Sequence, residues 1–268
     1  MPILGIDYGK CTNCKKCIFQ CVGKFWDRGD KVVFNDKYRN CILCGHCIAI
    51  CPTDAILHEN MGSKPYSFEG IKTMPEYIPF EKIFNFMNSL RSTRQYKKDK
   101  VPNELLRKVI RAMEIAPTGS NVRDQKFKVI SDPEVIKTLG QAVLDERMKL
   151  VANDPMFMEQ MRMSAERWKV PLYNDAPHLI IMYSSGLNSI EHYNIGIAIT
   201  YGRLAAHSMG LGTCWNGYSS GIFEQHKEIM KIVEARGKSW GILEIGYPAV
   251  KYERIPPRPE NKIKGLDE

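Results

Sequence analysis

Cysteine is nearly absent from most of this chain, because eight of the nine cysteines lie within the first 51 of its 268 residues. A disulfide framework would therefore cross-link one small end and leave the rest without bridges, which argues against a disulfide-stabilised secreted protein. The first ten residues, MPILGIDYGK, also lack the basic and apolar segments of a signal peptide. No apolar run approaches the roughly 18 residues that a membrane span requires. These absences predict a soluble cytoplasmic protein with no membrane partner.

The N-terminal cysteines form two similar runs, CTNCKKCIFQC at 11–21 and CILCGHCIAIC at 41–51. Paired Cys-x-x-Cys hooks suit a tetrahedral zinc site, but a zinc ribbon uses only two cysteines per hook. Here each run has a third cysteine after two more residues and a fourth after three more, as in bacterial two-cluster ferredoxins. The spacing therefore favours iron–sulfur ligation over zinc.

Each run is expected to serve two cubic clusters, because three thiolates wrap one cluster and the fourth, at the start of a helical turn, reaches the other. The two predicted 4Fe-4S ligand sets are Cys11, Cys14, Cys17 and Cys51, and Cys41, Cys44, Cys47 and Cys21. Pro52 fits the pattern, whereas Val22 and Gly23 depart from it, and DKVVFND predicts a short strand or hairpin between the runs. Residues 1–60 thus resemble the two-cluster bacterial-type ferredoxin domain, which needs its metal to fold.

The formal net charge of +8 does not indicate a nucleic-acid partner. Lysine and arginine are spread along the chain rather than gathered on one face. Two oxidised clusters with their thiolates would also add roughly −4 in total. We therefore predict no nucleic-acid binding.

A linker is predicted at 61–79, lying along the surface with Tyr66, Phe68 and Tyr77 packed against it. Beyond it, the apolar periodicity changes to that of a domain with more helix than strand. The predicted helices are FEKIFNFMNSL, PNELLRKVIRAMEIA, 133–150, 155–168, 190–209 and 222–235. The predicted strands are KFKVISDP, HLIIMYSS and SWGILEIGY. The second domain is therefore predicted to be α+β and to span 80–268.

Four segments of this domain are weak signals when each is taken alone. RSTRQY at 91–96 is either a solvated basic turn or a phosphate clamp of two guanidinium groups and a hydroxyl. APTGSN at 116–121 is typical of a helix C-terminus. GLGTCWNGYSSG at 210–221 lacks the Gly-x-Gly-x-x-Gly of a dinucleotide-binding turn, and GYPAVKYERIPPRP at 246–259 is an extended tail.

Together, in their order and spacing, these segments resemble the FMN-dependent nitroreductase family over about residues 80–260. The resemblance implies a central, mostly antiparallel sheet flanked by helices. It also implies FMN contacts from Arg91, Ser92, Arg94, Asn121, Trp215, Asn216, Gly217 and Arg258. Of these, the arginines and Ser92 would hold the phosphate and ribityl chain, Asn121 the pyrimidine edge, and residues 215–217 the region of N5 and O4. Arg123, Asp124 and Gln125 depart from the family pattern, which leaves open whether Arg123 touches the flavin.

The chain as a whole resembles the ferredoxin–nitroreductase fusions of anaerobes. The resemblance implies a homodimer with FMN at the interface, supplied by the apolar helix around Ile195 to Met209. It also implies an electron donor that is either a ferredoxin or NAD(P)H.

Iron–sulfur centres move single electrons and flavin pairs them, so the combination implies an oxidoreductase. Electrons would pass from two 4Fe-4S clusters to FMN and then to an activated nitroaromatic, quinone or enone. The alternative is an electron-transfer or redox-sensing module without its own organic substrate, and a third reading is a flavin enzyme that dehalogenates or desaturates. Tyr218 is one candidate proton donor. His178, His192 and His207 are interpreted as structural, and Cys214 as a small buried apolar residue.

Overall fold

The computed structural model describes residues 3–21, 23–67, 70–71, 73–170, 172–186 and 189–266, with only the backbone of Ser164, Ser239 and Trp240. The chain divides into two compact units. One unit comprises Met1–Tyr77 and Thr118–Val122, and the other Ile78–Pro117 and Arg123–Glu268. Within the described ranges, no helix combines the length and apolarity that a membrane crossing needs.

The first unit is built from short elements around a small apolar core. These are β1 Ile3–Ile6, α1 Lys16–Gln20, β2 Phe25–Asp27, β3 Val32–Phe34, α2 His46–Ile50, β4 Ile56–His58 and α3 Met74–Tyr77. β1 pairs antiparallel with β4, and β2 pairs antiparallel with β3. The hairpin predicted between the cysteine runs is therefore present. Its Phe25 and Val32 are buried with Ile3, Ile56 and Cys47.

The two cysteine runs adopt the same local structure. Each short helix is preceded by a residue in the left-handed region, Lys15 with φ 61° before α1 and Gly45 with φ 75° before α2. Cys21 and Cys51 are the C-cap residues of these helices. The expectation that the fourth cysteine begins a helical turn was wrong, because one helical turn is needed to carry the chain from the third cysteine to the fourth. Val22, part of the departure from the motif, lies outside the described residues.

The second unit begins with α4 Phe80–Ser89 and contains a four-stranded sheet covered by helices on both faces. Its further elements are α5 Asn103–Glu114, β5 Lys126–Ile130, α6 Pro133–Leu150, α7 Pro155–Arg167, β6 His178–Ser184, α8 Glu191–Ser208, β7 Gly212–Trp215, α9 Gly217–Gln225, α10 Lys227–Ile232 and β8 Ser239–Gly246. The strand order is β5-β6-β8-β7, and every pairing is antiparallel. The predicted α+β fold with an antiparallel sheet is confirmed.

Alternate residues of β6 point to opposite faces, and both faces are buried. Leu179 and Ile181 belong to the core under α6, whereas Ile180 and Met182 belong to the core under α5 and α8. Each fully buried aliphatic side chain of this size stabilises the fold by roughly 1.5–3 kcal/mol. The continuous apolar run HLIIM is therefore a central strand of the sheet.

Helix boundaries follow the local signals in the sequence. Asp132 caps α6 by accepting a hydrogen bond from the N–H of Glu134 at 2.9 Å, and Pro133 occupies the first turn. Gly210 ends α8 with φ +73°, a conformation that side chains with a Cβ disfavour.

Three expectations for secondary structure differ from the structure. The single helix predicted at 222–235 is two helices, α9 and α10, which meet at His226. The glycine-rich segment at 210–221 contains a strand, β7, that the sequence did not suggest. The predicted linker contains a short helix, α3, and its Tyr66 and Tyr77 are 82% and 52% exposed, whereas Phe68 lies outside the described residues.

Candidate functional site

The first predicted ligand set lies around one cavity of the first unit. The cysteines that line it are Cys11, Cys14, Cys17 and Cys51. Burial raises the pKa of Cys17, and the nearby thiols of Cys14, Cys11 and Cys51 raise it further. The structure therefore brings these four cysteines together.

The second predicted set is also brought together. Burial raises the pKa of Cys47 to about 11, with contributions from Cys21, Cys41 and Cys44. Burial likewise raises the pKa of Cys21, again with contributions from Cys41 and Cys44. Each set thus combines three cysteines of one run with the last cysteine of the other.

These groups have the chemistry of a cluster site. Neighbouring thiols raise one another's pKa because their thiolates repel. They ionise together only when positive charge offsets that repulsion, and the iron ions of an iron–sulfur cluster supply it. In the described part of the chain, no group of three or more His, Cys, Asp or Glu side chains is arranged to hold a metal ion. A cubic cluster needs a wider cage than one ion, because it spreads its thiolates over separate iron atoms. The N–H of Ala55 donates to Cys51 Sγ at 3.2 Å, a type of contact that tunes cluster potentials.

The turn from Arg91 to Arg94 is fixed by backbone contacts to β7. The N–H of Thr93 donates to the carbonyl of Thr213 at 2.9 Å, and Ser92 forms a parallel bridge with Thr213. Gly212 permits this approach, since a Cβ there would lie 2.7 Å from the Thr93 side chain. Gly212 is therefore needed for the close contact between β7 and the turn at residues 91–94.

Three guanidinium groups lie near Ser92, those of Arg91, Arg94 and Arg203. Arg91 Nη1 donates to the carbonyls of Asn88 and Leu90, but its Nη2 is buried without a hydrogen-bond partner among the described residues. Arg203 of α8 donates through Nη2 to Ser92 Oγ at 3.4 Å, and its Nε is buried and likewise unpartnered in that part of the chain. None of the described carboxylates forms a salt bridge with Arg91, Arg94 or Arg203. Buried, unpaired donors of this kind fit a phosphate.

Ser92 and Arg94 line a cleft of about 460 Å³ in the second unit. The remaining residues of its lining are Gln95, Met163, Arg167, Trp168, Asn174, Val250 and Tyr252. The Arg167 guanidinium lies 5.2 Å from the centroid of the Trp168 ring. The lining thus offers two guanidinium groups and an indole but no carboxylate.

The C-terminal tail returns to this cleft. The N–H of Ala249 donates to the carbonyl of Gln95 at 2.8 Å, and the Tyr252 hydroxyl donates to the carbonyl of Ser92 at 3.1 Å. Arg258, predicted to reach the phosphate, is exposed further along the tail and is absent from the cleft lining. Tyr252 is therefore the tail residue that the structure brings to Ser92.

The segment 215–217 separates into outward-facing and inward-facing residues. Trp215 is 41% exposed, and Gly217, the first residue of α9, is exposed with open space around it. Asn216 is buried: its Nδ2 donates to Leu172 O at 2.7 Å and to Glu244 Oε1 at 2.9 Å. Its Oδ1 accepts from the N–H and Oγ of Ser219 at 3.2 and 3.0 Å. The side-chain amide thus makes all its hydrogen bonds inside the protein, and the flavin contact of Asn216 stays a prediction.

Glu244 is a fully buried carboxyl directly behind this region, on β8 opposite Cys214. Burial raises its pKa to about 7, against the lowering effects of hydrogen bonds from Asn174 and Asn216 and of the nearby Arg94. Burial also raises the pKa of Cys214 to about 11. Cys214 is 5% exposed, in line with its interpretation as a small buried residue.

Asn121 lies in the segment that belongs to the first unit. There its Nδ2 donates to the carbonyl of Ile42 at 2.8 Å. Arg123 donates through Nη2 to the carbonyl of Glu114 at 3.1 Å, and Asp124 accepts from the N–H of Ser185 at 2.8 Å. The loop that departs from the family pattern is thus held by hydrogen bonds within the protein, and the flavin contact of Asn121 stays a prediction.

The histidines and Tyr218 have structural partners. Buried His178 accepts from the N–H of Val101 at 2.9 Å through Nε2 and lies 2.6 Å from Ser131 Oγ through Nδ1. His207 Nε2 lies 2.8 Å from Ser89 Oγ, and exposed His192 lies 3.6 Å from Glu224. The Arg147 guanidinium lies 5.3 Å from the centroid of the Tyr218 ring.

Sequence reasoning missed Arg203, Arg167, Asn174, Tyr252 and Glu244. Two of them carried a usable signal: Arg203 is the one arginine within the apolar helix α8, and Glu244 is the one charge within the strand GILEIGY. A single charge inside an otherwise buried pattern indicates a polar partner or a ligand. The other three are ordinary surface residue types in loops and helix ends, and no pattern distinguished them.

Two family models match the chain. Residues 89–247 match the nitroreductase family, and residues 3–56 match the 4Fe-4S dicluster domain. Both halves of the resemblance drawn from the sequence are confirmed, and together they support an iron–sulfur flavin redox protein.

Individual proteins show the same relationship. Over 207 residues the chain is 23% identical to an iodotyrosine deiodinase of Haliscomenobacter hydrossis, covering 67% of this chain and 91% of that protein. Over 93 residues it is 30% identical to the NADPH-Fe(3+) oxidoreductase subunit alpha of Geobacter sulfurreducens, covering 30% of this chain and 10% of that protein.

A nitroreductase with bound FMN from Bacteroides fragilis superposes with a TM-score of 0.55 at 19% identity, covering 69% of this chain and 96% of the other. At this identity the likeness concerns the fold alone. Since the nitroreductase model spans more than half of the residues, the chain belongs to the nitroreductase family and carries a 4Fe-4S dicluster domain at residues 3–56.

Proposed function

We propose that this chain is an iron–sulfur flavoprotein oxidoreductase that takes up electrons at two 4Fe-4S clusters and delivers them through FMN to an activated organic acceptor. A nitroaromatic, a quinone or an enone has the required chemistry. One observation carries the proposal: a single chain combines two groups of four cysteines with an arginine cluster that has no described carboxylate partner. We assign the clusters to residues 1–60, the linker to 61–79 and FMN to 80–268.

When bound, the clusters supply one-electron steps and FMN couples them to two-electron chemistry. The chain contributes binding and electrostatics. Arg91, Arg94 and Ser92 would hold the phosphate, because Ser92 and Arg94 line one cleft and two of the three guanidinium groups near Ser92 have nitrogens without a described partner. Trp215 and the first N–H groups of α9, from Gly217 onward, would line the ring. Asn121 and Arg258 keep their predicted roles as part of this proposal.

The proposed assembly is a homodimer. Helix α8 carries Tyr193, Ile197 and Tyr201 on an exposed side, at 72%, 38% and 39% exposure. Apolar and aromatic side chains of this kind are typical of the core of a protein interface. The proposed donor is a ferredoxin or NAD(P)H.

A second candidate activity is reductive dehalogenation of a halogenated phenol. Several curated relatives, from bacteria and animals, are named iodotyrosine deiodinases, and the match to the Haliscomenobacter hydrossis protein covers 67% of this chain. The cleft with Arg94, Arg167 and Trp168 suits a flat anionic aromatic molecule.

The test begins with anaerobic purification and analysis of iron, sulfide and flavin, for which we expect about eight iron atoms and one FMN per chain. The holoprotein is then reduced with dithionite or reduced ferredoxin. A panel of nitroaromatics, quinones, enones and 3-iodotyrosine is offered in turn.

Turnover of a nitroaromatic, quinone or enone supports the main proposal, and release of iodide supports dehalogenation. Rapid electron exchange with partner proteins, but no consumption of any acceptor, would favour an electron-transfer or redox-sensing module. A colourless protein that binds only zinc would contradict all of them.

A further inference from the structure

Glu244 is hydrogen-bonded to two segments, one of which lines the proposed phosphate cleft. Its Oε1 accepts from Asn216 Nδ2 at 2.9 Å, and its Oε2 accepts from Asn174 Nδ2 at 2.8 Å. Asn216 caps the helix that begins at Gly217, whereas Asn174 lines the cleft beside Arg94. The carboxyl itself is fully buried and does not reach the cleft surface.

Several charged or titratable groups face Glu244 from the elements packed around it. They are Arg94 and Tyr96 before α5, Tyr173 before β6 and Cys214 on β7, with Arg203 of α8 beside Tyr96 and Cys214. Burial raises the pKa of Tyr96, Tyr173 and Cys214, so these three stay neutral at physiological pH. Among these groups, Glu244 is the one whose pKa, about 7, allows its charge to change near neutrality.

We propose that Glu244 is a positioning residue that also regulates the anion affinity of the Arg94 cleft through its own charge. The inference rests on the proposed binding of the FMN phosphate beside Ser92 and Arg94. When the Glu244 carboxyl is protonated, it is neutral and the full positive charge of Arg94 attracts the anion. When the carboxyl is ionised, its negative charge offsets part of the Arg94 charge and repels the phosphate, and this interaction is poorly screened because the carboxylate is buried.

The sign of the effect follows from this arrangement. FMN binding weakens as pH rises through the pKa of Glu244, and we expect a loss of about tenfold, the effect of one added charge at this partly buried site. The second ionisation of the FMN phosphate also occurs in this range. It is the same for every variant of the protein, so it cancels when two variants are compared.

The experiment measures the dissociation constants of FMN and riboflavin with the full chain, its clusters intact, from pH 6.0 to 8.5 at constant ionic strength. The variants are wild type, Glu244→Gln and Asn174→Gly. Gln removes the charge but keeps the shape. Gly suits position 174, where φ is 53°, and removes one hydrogen bond to the carboxylate.

We expect the ratio of wild-type to Glu244→Gln dissociation constants to rise about tenfold across this range for FMN and to stay constant for riboflavin, which has no phosphate. Asn174→Gly should move the wild-type inflection to higher pH, because it removes a donor that stabilises the ionised form. This second result tests the inference even if Glu244→Gln fails to fold. A constant ratio for FMN, or an unmoved inflection in Asn174→Gly, would overturn it. Failure of the wild type to bind FMN at any pH would instead refute the proposed function.

Discussion

Glu244 should make the second unit less stable as pH rises from 4.5 to about 7. Burial raises the pKa of this carboxyl from 4.5 to about 7, so the folded state holds the proton more tightly than the unfolded state does. Its contribution is complete below pH 4.5 and is lost as pH rises through the folded pKa. At about 1.4 kcal/mol per pH unit of difference, the loss in the free energy of unfolding is about 3 kcal/mol.

The assay is urea unfolding of the full chain without added FMN at pH 5.0 and pH 8.0, followed by tryptophan fluorescence. Between pH 5.0 and pH 8.0, the free energy of unfolding should fall by about 2 to 3 kcal/mol more in wild type than in Glu244→Gln, because Gln does not titrate. Glu104→Gln makes the same substitution on the exposed surface of α5 and should keep the wild-type difference. If the losses in wild type and Glu244→Gln differ by less than about 0.5 kcal/mol, the buried carboxyl does not titrate between pH 5.0 and pH 8.0.

Three further predictions concern the two cofactor sites. Cys51→Ser should lower the iron content from about eight to about four atoms per chain, while Cys214→Ser, outside both cysteine groups, should leave it unchanged. Arg94→Gln should weaken FMN binding about tenfold and riboflavin binding by less than about twofold, measured by flavin fluorescence. Gly212→Ala should lower the free energy of unfolding by about 1–3 kcal/mol in urea, because its Cβ would lie 2.7 Å from Thr93.

Much of the architecture was predictable because its signals are local. Asp132 followed by Pro133 marks the start of α6, and Gly210 marks the end of α8. The two cysteine runs place their eight thiols by spacing alone, and the structure gathers them into the two predicted sets. For the helix ends and for the spacing within each cysteine run, the residues that decide the outcome lie within a few positions of one another in the sequence.

The errors have the opposite cause. β7 is only four residues long, and it forms because β8 offers it a partner about thirty residues later in the chain. The break at His226 divides a segment whose apolar pattern continues on both sides. The inward position of the Asn216 side chain also depends on distant residues, because Glu244 and Leu172 O provide acceptors that no local pattern contains.

Two of the residues that only the structure revealed, Arg203 and Glu244, share one physical property, which is a polar group held at a buried position. Arg203 has a buried Nε without a described partner, and Glu244 has no exposed surface. Burying such a group costs several kcal/mol unless a partner compensates, so its presence within an apolar helix or strand requires an explanation in the folded state. For Glu244 the compensation is visible in the two asparagine amides. For Arg203 and Arg91 it is not complete within the described residues. The single charges in apolar segments were therefore as informative about this site as the motif that surrounds Ser92.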